Sequence, residues 1–283
     1  MPTEKTKTIH VAAGQIVSTP GDIAGNLAQV TDLSKTAARA GARLILFAEG
    51  ALTGYLLTPE MLPNALTADG PAAQKLLAIA KKNDLVVAAG TLERAGKKLH
   101  MSAFVAHPDG KLLVQRKHNL TPTELQAGLT PGPEKRRVFS VDGVKFAICI
   151  CADSGIPDIV NKLVGWGVEV SLNPTAGGGG RKFMKHAEEL EDPKKFKSYL
   201  SDMEKVCFMG GAIKQCLKHH LGMIACNLSG DDGVNNYHPG HAAIVDSGGK
   251  TVGLIPGEYV VEYLRPQLIH GEMVVRKARK AEA

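Results

Sequence analysis

The sequence has few aromatic residues and no long hydrophobic run, and each absence narrows the kind of protein it encodes. Aromatic residues make up 5% of the 283 residues, and there is one tryptophan. No apolar stretch approaches the roughly 18 residues that a membrane-spanning helix needs, and no secretory hydrophobic segment is visible near the N-terminus. We therefore expect a cytoplasmic protein with no membrane partner.

A dominant charge of one sign is also lacking. The chain holds 34 Lys and Arg against 28 Asp and Glu, a formal net charge of +6. The densest charged stretch, residues 181–205, mixes seven Lys and Arg with six Asp and Glu, which is typical of a solvated helical face. Because no basic stripe is interleaved with aromatic residues, we predict no nucleic-acid partner.

The cysteine content is low and odd in number. The five cysteines argue for reduced thiols in a cytoplasm-like compartment rather than a disulfide framework. A thiol is therefore available for chemistry. The apolar content of 44% excludes disorder, and the length allows a full core in one or two domains.

The pattern of apolar residues predicts alternating strands and helices. Near-continuous apolar runs, such as residues 42–50, are typical of strands that are covered on both faces. Mixed hairpins and crossovers suggest packed sheets with helices outside. Strands are predicted at residues 8–14, 42–50, 85–92, 101–107, 111–117, 144–151, 168–173, 221–227, 241–245, 251–255 and 258–264, and helices at about 22–40, 71–83 and 157–165, with a polar helical region extending to about 220.

Three polar residues stand at the carboxyl ends of apolar strands, where layered α/β proteins place their sites. Glu49 closes LILFAEG, Lys117 closes LLVQRK, and Cys151 closes FAICIC. A buried carboxylate has a pKa raised toward that of a working base, and a lysine beside it stabilises a developing oxyanion. A cysteine beside both is expected to lose its proton readily and act as a nucleophile.

The same three segments resemble the signature blocks of the nitrilase superfamily of carbon–nitrogen hydrolases. The blocks are FAEGALTGY at 47–55, RKHNLTPTE at 116–124 and ICADSGIP at 150–157, and the order Glu, Lys, Cys is that of the family. The likeness continues in AAGQIVSTPGDIAGNL near the start and GHAAIVDSGGKTVG at 240–253. The resemblance implies an α/β fold, a four-layer α-β-β-α sandwich, formed by residues 1–283 as a single domain.

The resemblance also implies roles for individual residues. Cys151 would be the nucleophile, Glu49 the general base and Lys117 the cation at the tetrahedral intermediate, with Glu124 as the second glutamate. No metal or other cofactor is implied. The backbone N–H of Ala152 would be the second oxyanion donor, and the residues expected near the substrate are Tyr55, Asp153, Asn173 and Pro174.

The family likeness implies hydrolysis of a small non-peptide amide with water, by a homodimer or larger homo-oligomer. Ala152-Asp153 after the cysteine is nearer to the amidase-like members than to the Trp-Glu of true nitrilases. An N-carbamoyl amino acid amidohydrolase, a nitrilase and a catalytically silent scaffold of the same fold remain open alternatives.

Two further features are open to more than one interpretation. The segment at about 177–205 is a candidate lid or interface insertion, and its Gly177–Gly180 tract is expected to be a flexible loop or part of that lid. Cys149 and Cys151 form a Cys-x-Cys, and His238 with His241 would complete a metal site or a Cys–His dyad. Cys149 is more simply a core thiol.

Overall fold

The computed structural model describes residues 6–198 and 218–279 of the chain. Strands and helices alternate through the first half, as the sequence predicts. The helices are α1 (Ile23–Arg39), α2 (Pro71–Asn83), α3 (Pro122–Gln126) and α4 (Ile159–Gly165). The strands are β1 (Lys7–Gln15), β2 (Leu44–Phe47), β3 (Val86–Ala95), β4 (Lys98–Ala106), β5 (Leu112–Arg116), β6 (Phe139–Val141), β7 (Val144–Ile148), β8 (Val170–Thr175), β9 (Gly179–Gly180), β10 (Gly222–Asn227), β11 (Ser229–Asp231), β12 (Asn236–Pro239), β13 (Ala242–Val245), β14 (Thr251–Ile255) and β15 (Gln267–Val275).

Two six-stranded sheets form the centre of the fold. The first has the order β15-β1-β2-β3-β4-β5 and the second the order β14-β13-β10-β8-β7-β6. β1, β2 and β3 run parallel in the first sheet, and β7, β8 and β10 run parallel in the second. Parallel strands place their carboxyl ends at one edge, so each sheet presents such an edge for a site.

The central strands of each sheet, such as β2 and β10, are buried on both faces. In β2, Leu44 and Leu46 face the other sheet, whereas Ile45 and Phe47 face the helices, as the two-residue period of a strand requires. This double burial explains why the run is continuously apolar. β2 lies beneath α1 and α2, and the Asp22 side chain caps α1 by accepting a hydrogen bond from the Gly25 N–H.

Three apolar layers of side chains separate the elements. One lies between the two sheets, a second lies between the first sheet and helices α1 and α2, and a third joins the second sheet to α4. The predicted four-layer α-β-β-α sandwich is thereby confirmed. The layer between the sheets contains side chains from both halves of the sequence, such as Leu46 and Ile224.

Several predicted elements are corrected by the structure. Residues 258–264 were expected to form a strand but contain a 3₁₀ turn at Val261–Tyr263, because Val260 makes an isolated bridge to Lys185 instead of joining a sheet. The last strand of the chain is β15, which pairs with β1 along nine residues. β6, β11 and β12, each of three or four residues, were not predicted.

The glycine tract is not the flexible loop that the sequence suggests. Gly179–Gly180 forms β9, which pairs with β12 in a small sheet of order β11-β12-β9. Asn227 holds Gly177 on both sides, accepting from its N–H and donating to its carbonyl. Of the candidate lid segment at 177–205, residues 199–205 lie outside the described part of the chain. The polar region that was predicted to be helical up to about 220 is described at 174–198 and 218–220. There it contains β9 and 3₁₀ turns at Arg181–Phe183 and Ala187–Glu191, and it is helical only at 193–198 and 218–219.

Within residues 6–198 and 218–279, no helix combines the length and the apolar character needed to cross a membrane.

Candidate active site

The ends of β2, β5 and β7 bring three of the predicted polar residues together. Glu49 follows β2, Lys117 directly follows β5, and Cys151 begins a 3₁₀ turn after β7. The Lys117 Nζ donates to Glu49 Oε1 at 2.9 Å, across 68 residues of sequence. The Cys151 thiol also interacts with the Glu49 carboxylate. The two sheets thus assemble one cluster from segments that are distant in the sequence.

Glu124 is the fourth member of the cluster. Its Oε1 accepts from Lys117 Nζ at 2.7 Å and its Oε2 accepts from the Thr121 N–H at 2.7 Å. The second contact belongs to a capping box, in which Thr121 Oγ1 in turn accepts from the Glu124 N–H. The short helix α3 therefore fixes the carboxylate that lies against the lysine.

Tyr55 lies beside this second carboxylate rather than in an open pocket. Its hydroxyl donates to Glu124 Oε1 at 3.0 Å. Burial, together with the charges of Glu49 and Glu124, raises the pKa of Tyr55 above its ordinary value, so the hydroxyl keeps its proton. Tyr55 was expected near the substrate, and its hydroxyl contact is with Glu124.

The cluster carries two carboxylates and one ammonium group in an interior that excludes water. Glu49, Lys117 and Glu124 are each 0% exposed. Burial raises the pKa of Glu49 to about 7, even though Lys117 opposes the shift. Burial alone would lower the pKa of Lys117, but Glu49, Cys151 and Glu124 outweigh it and raise that pKa above its ordinary value. Lys117 is therefore a permanent cation beside a carboxylate that titrates near neutral pH.

Cys151 differs from expectation in its protonation. Burial and the charge of Glu49 raise the pKa of its thiol to about 12, although Lys117 and the Ala176 N–H act in the opposite direction. This shift runs opposite to the expectation that the lysine favours a ready thiolate. The sulfur is a thiol, and its proton has a nearby acceptor in Glu49, whose Oε2 is buried without a hydrogen bond from the described nitrogen and oxygen donors.

The backbone at Cys151 is also unusual. Its φ of +46° lies in the left-handed region, which non-glycine residues rarely adopt. Such strain persists when the surroundings impose it, and it is frequent at functional sites. The turn lifts the thiol out of the strand direction, so that Cys151 remains partly exposed while Cys149 is buried in the outer apolar layer.

A cavity of about 330 Å³ adjoins the cysteine. A volume of this size fits a small molecule. Ala152 and Asn173 line it beside Cys151, whereas Pro174 is buried in β8 opposite Cys226. The other residues of the wall are Ser154, Thr175, Gly177, Met223, Ala225, Asn227 and His241.

Asp153 is placed away from this cavity, in contrast to the sequence prediction. Its side chain is fully buried, and Oδ1 accepts from the N–H groups of His118 and Asn119, both at 2.9 Å. Its Oδ2 accepts from the Ile150 N–H at 3.0 Å and from Arg136 Nη1 at 2.7 Å. Asp153 therefore ties the segment after Lys117 to the residue before Cys151.

Comparison with known proteins agrees with this arrangement. The family model described as carbon-nitrogen hydrolase matches residues 10–195, more than half of the chain. The chain belongs to the carbon–nitrogen hydrolase family. This match confirms the predicted superfamily and includes the segments that hold Glu49, Lys117, Glu124 and Cys151.

This carbon–nitrogen hydrolase family member is similar to proteins of several kinds. It is 30% identical over 173 residues to a Pseudomonas protegens protein described as a hydrolase in the pqqF 5′ region, covering 60% of each chain. It is 31% identical over 137 residues to an aliphatic nitrilase of Rhodococcus rhodochrous, covering 44% of this chain and 37% of that protein. The matched segment therefore spans 60% or less of these curated relatives.

The fold likeness extends further than the sequence likeness. A mutant of the Nesterenkonia AN1 amidase from the nitrilase superfamily superposes with a TM-score of 0.72 at 20% identity, covering 94% of this chain and 90% of that one. At this identity the likeness establishes the fold, which agrees with the layers and sheet order described above.

Sequence reasoning missed one partner in this family member. Arg136 is 1% exposed and its guanidinium meets Asp153, although it stands in a KRR run that is typical of a surface. The signal that points to it is the aspartate two residues after Cys151, since a carboxylate in such a buried turn requires a cation.

The metal alternative receives no geometric support from the described ranges. Within residues 6–198 and 218–279, no three His, Cys, Asp or Glu side chains are grouped so as to hold a metal ion. His238 lies against the ring of Tyr55, with ring centroids 6.3 Å apart, while His241 lines the cavity.

The buried Arg136–Asp153 pair yields a prediction for stability. The substitution Asp153→Asn leaves the buried guanidinium of Arg136 without its counter-charge. It also places an amide N–H₂ group, which cannot accept a hydrogen bond, against the groups that donate to the carboxylate. We expect it to lower the free energy of unfolding by about 3–5 kcal/mol, measured by chemical denaturation.

The matched control is Asp84→Asn, which breaks the exposed ion pair of Asp84 with Arg43, where the Asp84 side chain is 73% exposed. An exposed pair contributes about 1 kcal/mol or less. An equal decrease in the free energy of unfolding in the two variants would show that the buried Arg136–Asp153 pair contributes no more than the exposed pair.

Proposed function

We propose that this chain hydrolyses the carbon–nitrogen bond of a small non-peptide amide through a thioester on Cys151, releasing ammonia or an amine. The observation that supports the proposal most directly is the contact of Glu49 with both Lys117 and Cys151. A base that contacts both a cation and a thiol supplies the groups that acyl transfer to a nucleophile needs.

The first half-reaction begins with the thiol. Glu49 accepts the proton of Cys151 Sγ as the sulfur attacks the amide carbonyl carbon. General-base activation is required because the pKa of the thiol is raised to about 12, whereas that of Glu49 is about 7. Lys117 Nζ and the Ala152 backbone N–H stabilise the oxyanion of the tetrahedral intermediate.

The intermediate then collapses to the thioester. The C–N bond breaks as Glu49 returns its proton to the leaving nitrogen, which departs as ammonia or an amine. In the second half-reaction, Glu49 takes a proton from water, and the resulting hydroxide attacks the thioester carbonyl. The C–S bond breaks, the carboxylic acid is released, and the sulfur recovers the proton from Glu49.

The supporting groups are assigned from their contacts. Glu124 holds Lys117 Nζ from the side opposite Glu49, so the ammonium group is fixed between two carboxylates. Glu124 is held in turn by the hydrogen bond from the Tyr55 hydroxyl and by the capping box at the start of α3. No step requires a metal ion or an organic cofactor. We further propose that residues 1–283 act as one catalytic domain in a homo-oligomer.

An amide is preferred to a nitrile as the substrate. The residue pair after the cysteine is Ala152-Asp153, and the Nesterenkonia protein with the same fold is an amidase that has been crystallised in complex with butyramide. The Rhodococcus relative is a nitrilase, which keeps nitriles in the set of compounds to be tested. The cavity of about 330 Å³ suits short acyl groups of either kind.

The experiment is an ammonia-release screen over short aliphatic amides, N-carbamoyl amino acids and nitriles, followed by mass spectrometry of the intact protein. We expect turnover of short amides and a mass increase equal to the acyl group on Cys151. Turnover of carbamoyl compounds or nitriles alone would replace the proposed substrate class. No turnover and no adduct with any compound would favour the scaffold alternative.

A further inference from the structure

His241 combines a strained backbone with a buried ring nitrogen that has no partner. Its φ is +108°, far from the range that non-glycine residues prefer. The residue is 4% exposed, and its Nε2 makes no hydrogen bond with the part of the chain that the structure describes. A buried polar atom without a partner is costly in free energy, so its retention calls for an explanation.

The conformation of His241 is imposed from both sides. Its N–H donates to Gln15 Oε1 at 2.7 Å, and its carbonyl accepts from the Asn227 N–H at 2.7 Å. Strain of this kind persists where the surroundings over-determine the backbone, and it is concentrated at binding sites. The ring is therefore held in place by the strands around it.

His241 is one of the residues that line the cavity beside Cys151 and Ala152. Two neighbouring polar side chains of this wall make hydrogen bonds within the protein. The Asn227 amide donates to the carbonyls of Gly177 and Gly240 and accepts from Thr175 Oγ1 and the Gly177 N–H. Asn173 Oδ1 accepts from Ser171 Oγ. Among the residues of this wall, His241 carries a buried side-chain nitrogen, Nε2, that has no hydrogen-bond partner in the described part of the chain.

The chemistry of the ring limits what it can bind. Burial lowers the pKa of His241, so the imidazole is neutral at neutral pH and offers one donor and one acceptor. A neutral hydroxyl or carboxamide group matches such a partner. Met223 and Ala225 supply apolar surface in the same cavity, which suits the methylene groups of a short chain.

We propose that the cavity is the acyl-chain subsite, and that His241 binds a neutral hydrogen-bonding group carried at the far end of the substrate's acyl chain. The inference rests on the proposed function, because it assigns the cavity beside Cys151 to the acyl group of the amide. It adds a substrate class, namely short amides whose acyl chain ends in a hydroxyl or a similar neutral polar group.

The test compares two amides of equal length, 4-hydroxybutyramide and pentanamide, which differ in a terminal hydroxyl against a methyl group. We expect kcat/KM of the unaltered protein to favour 4-hydroxybutyramide by about tenfold, the size of one hydrogen bond to a buried polar group. In His241→Gly the ratio should fall to about one. Glycine accepts a φ of +108° without strain, so this variant is expected to fold.

A second variant, His241→Asn, separates recognition from a change of shape. Asparagine keeps a donor and an acceptor and tolerates positive φ better than most residues. It should restore part of the preference for the hydroxyl compound. An unchanged ratio in His241→Gly, or a preference of the unaltered protein for pentanamide, would overturn the proposal.

Binding in a Cys151→Ala background keeps this test independent of turnover. Calorimetric titration with the two amides should show tighter binding of 4-hydroxybutyramide, and the added His241→Gly change should remove the difference. If the unaltered protein hydrolyses neither amide but this binding difference is found, the catalytic proposal fails and the subsite is retained. Equal affinities in both proteins would reject the subsite.

Discussion

Cys151→Ala is expected to reduce ammonia release by roughly 10⁴- to 10⁶-fold while leaving the fold intact. The proposed reaction has no other nucleophile, because the second half-reaction requires the thioester that only the sulfur forms. The structural cost is small, since Cys151 is partly exposed and loses a single heavy atom. Steady-state ammonia release and the intact mass after incubation with the amide are the two measurements.

Cys226→Ala provides the matched control for this loss. Cys226 is buried between the two sheets, where its thiol donates to the Gly14 carbonyl at 3.3 Å. The same chemical change there should lower stability modestly, keep ammonia release and leave the acyl adduct on Cys151. Substantial turnover in Cys151→Ala, with the control unchanged, would reject the thioester mechanism.

Glu49→Gln is expected to lower kcat/KM by roughly 10²- to 10⁴-fold and to change its dependence on pH. Glutamine keeps an acceptor for Lys117 Nζ but removes the base. Because burial raises the pKa of Glu49 to about 7, kcat/KM of the unaltered protein should fall as pH drops below about 7. The residual activity of Glu49→Gln should lack this acidic limb.

The same pKa predicts the pH dependence of stability. The pKa of Glu49 rises from 4.5 to about 7 on folding, so between these values the native state binds more protons than the unfolded state. The free energy of unfolding therefore falls as pH rises through this window, and the effect is complete above about 7. Denaturation at several pH values should show a weaker fall in Glu49→Gln.

An exposed carboxylate serves as the control for both measurements. Glu60 is exposed, and Glu60→Gln should retain the activity and the acidic limb of the unaltered protein. If kcat/KM of Glu49→Gln also fell below about pH 7, another group would have to be the base. A fall that moved to a different pH equally in both variants would point to a change in overall charge.

Helices and strands with a clear pattern of apolar residues were predictable, because the local sequence decides whether such a segment forms a helix or a strand. The residues of α2 follow a helical period after Gly70-Pro71, and the helix begins and ends where the sequence indicates. β2 was recognisable because both of its faces are buried. Residues 258–264 also contain apolar and aromatic side chains, yet Val260 makes only an isolated bridge to Lys185, a contact that no local property of the segment reveals.

The same distinction applies to the candidate site, where some residues could be predicted from the sequence and others could not. The positions of Glu49, Lys117 and Cys151 at strand ends follow from the sequence, since polar residues that close apolar strands are rare and parallel strands gather their ends. The role of Asp153 does not follow, because its partner Arg136 is brought to it by the packing of two loops. The unused ring nitrogen of His241 is likewise visible only when its surroundings are known.

Residue type, spacing and period by themselves predicted packed sheets with outer helices and three polar residues at the ends of apolar strands. The resemblance of the sequence to the nitrilase superfamily added the family, the four-layer arrangement and Glu124. The tertiary structure alone decided the protonation of the cluster and the use of each polar group. A pKa and a hydrogen bond depend on burial and on neighbours that are far away in the chain. The scarcity of aromatic residues and long apolar runs excluded other classes of protein, while the packing of two sheets placed the Cys151 thiol beside a carboxylate and raised the pKa of the thiol.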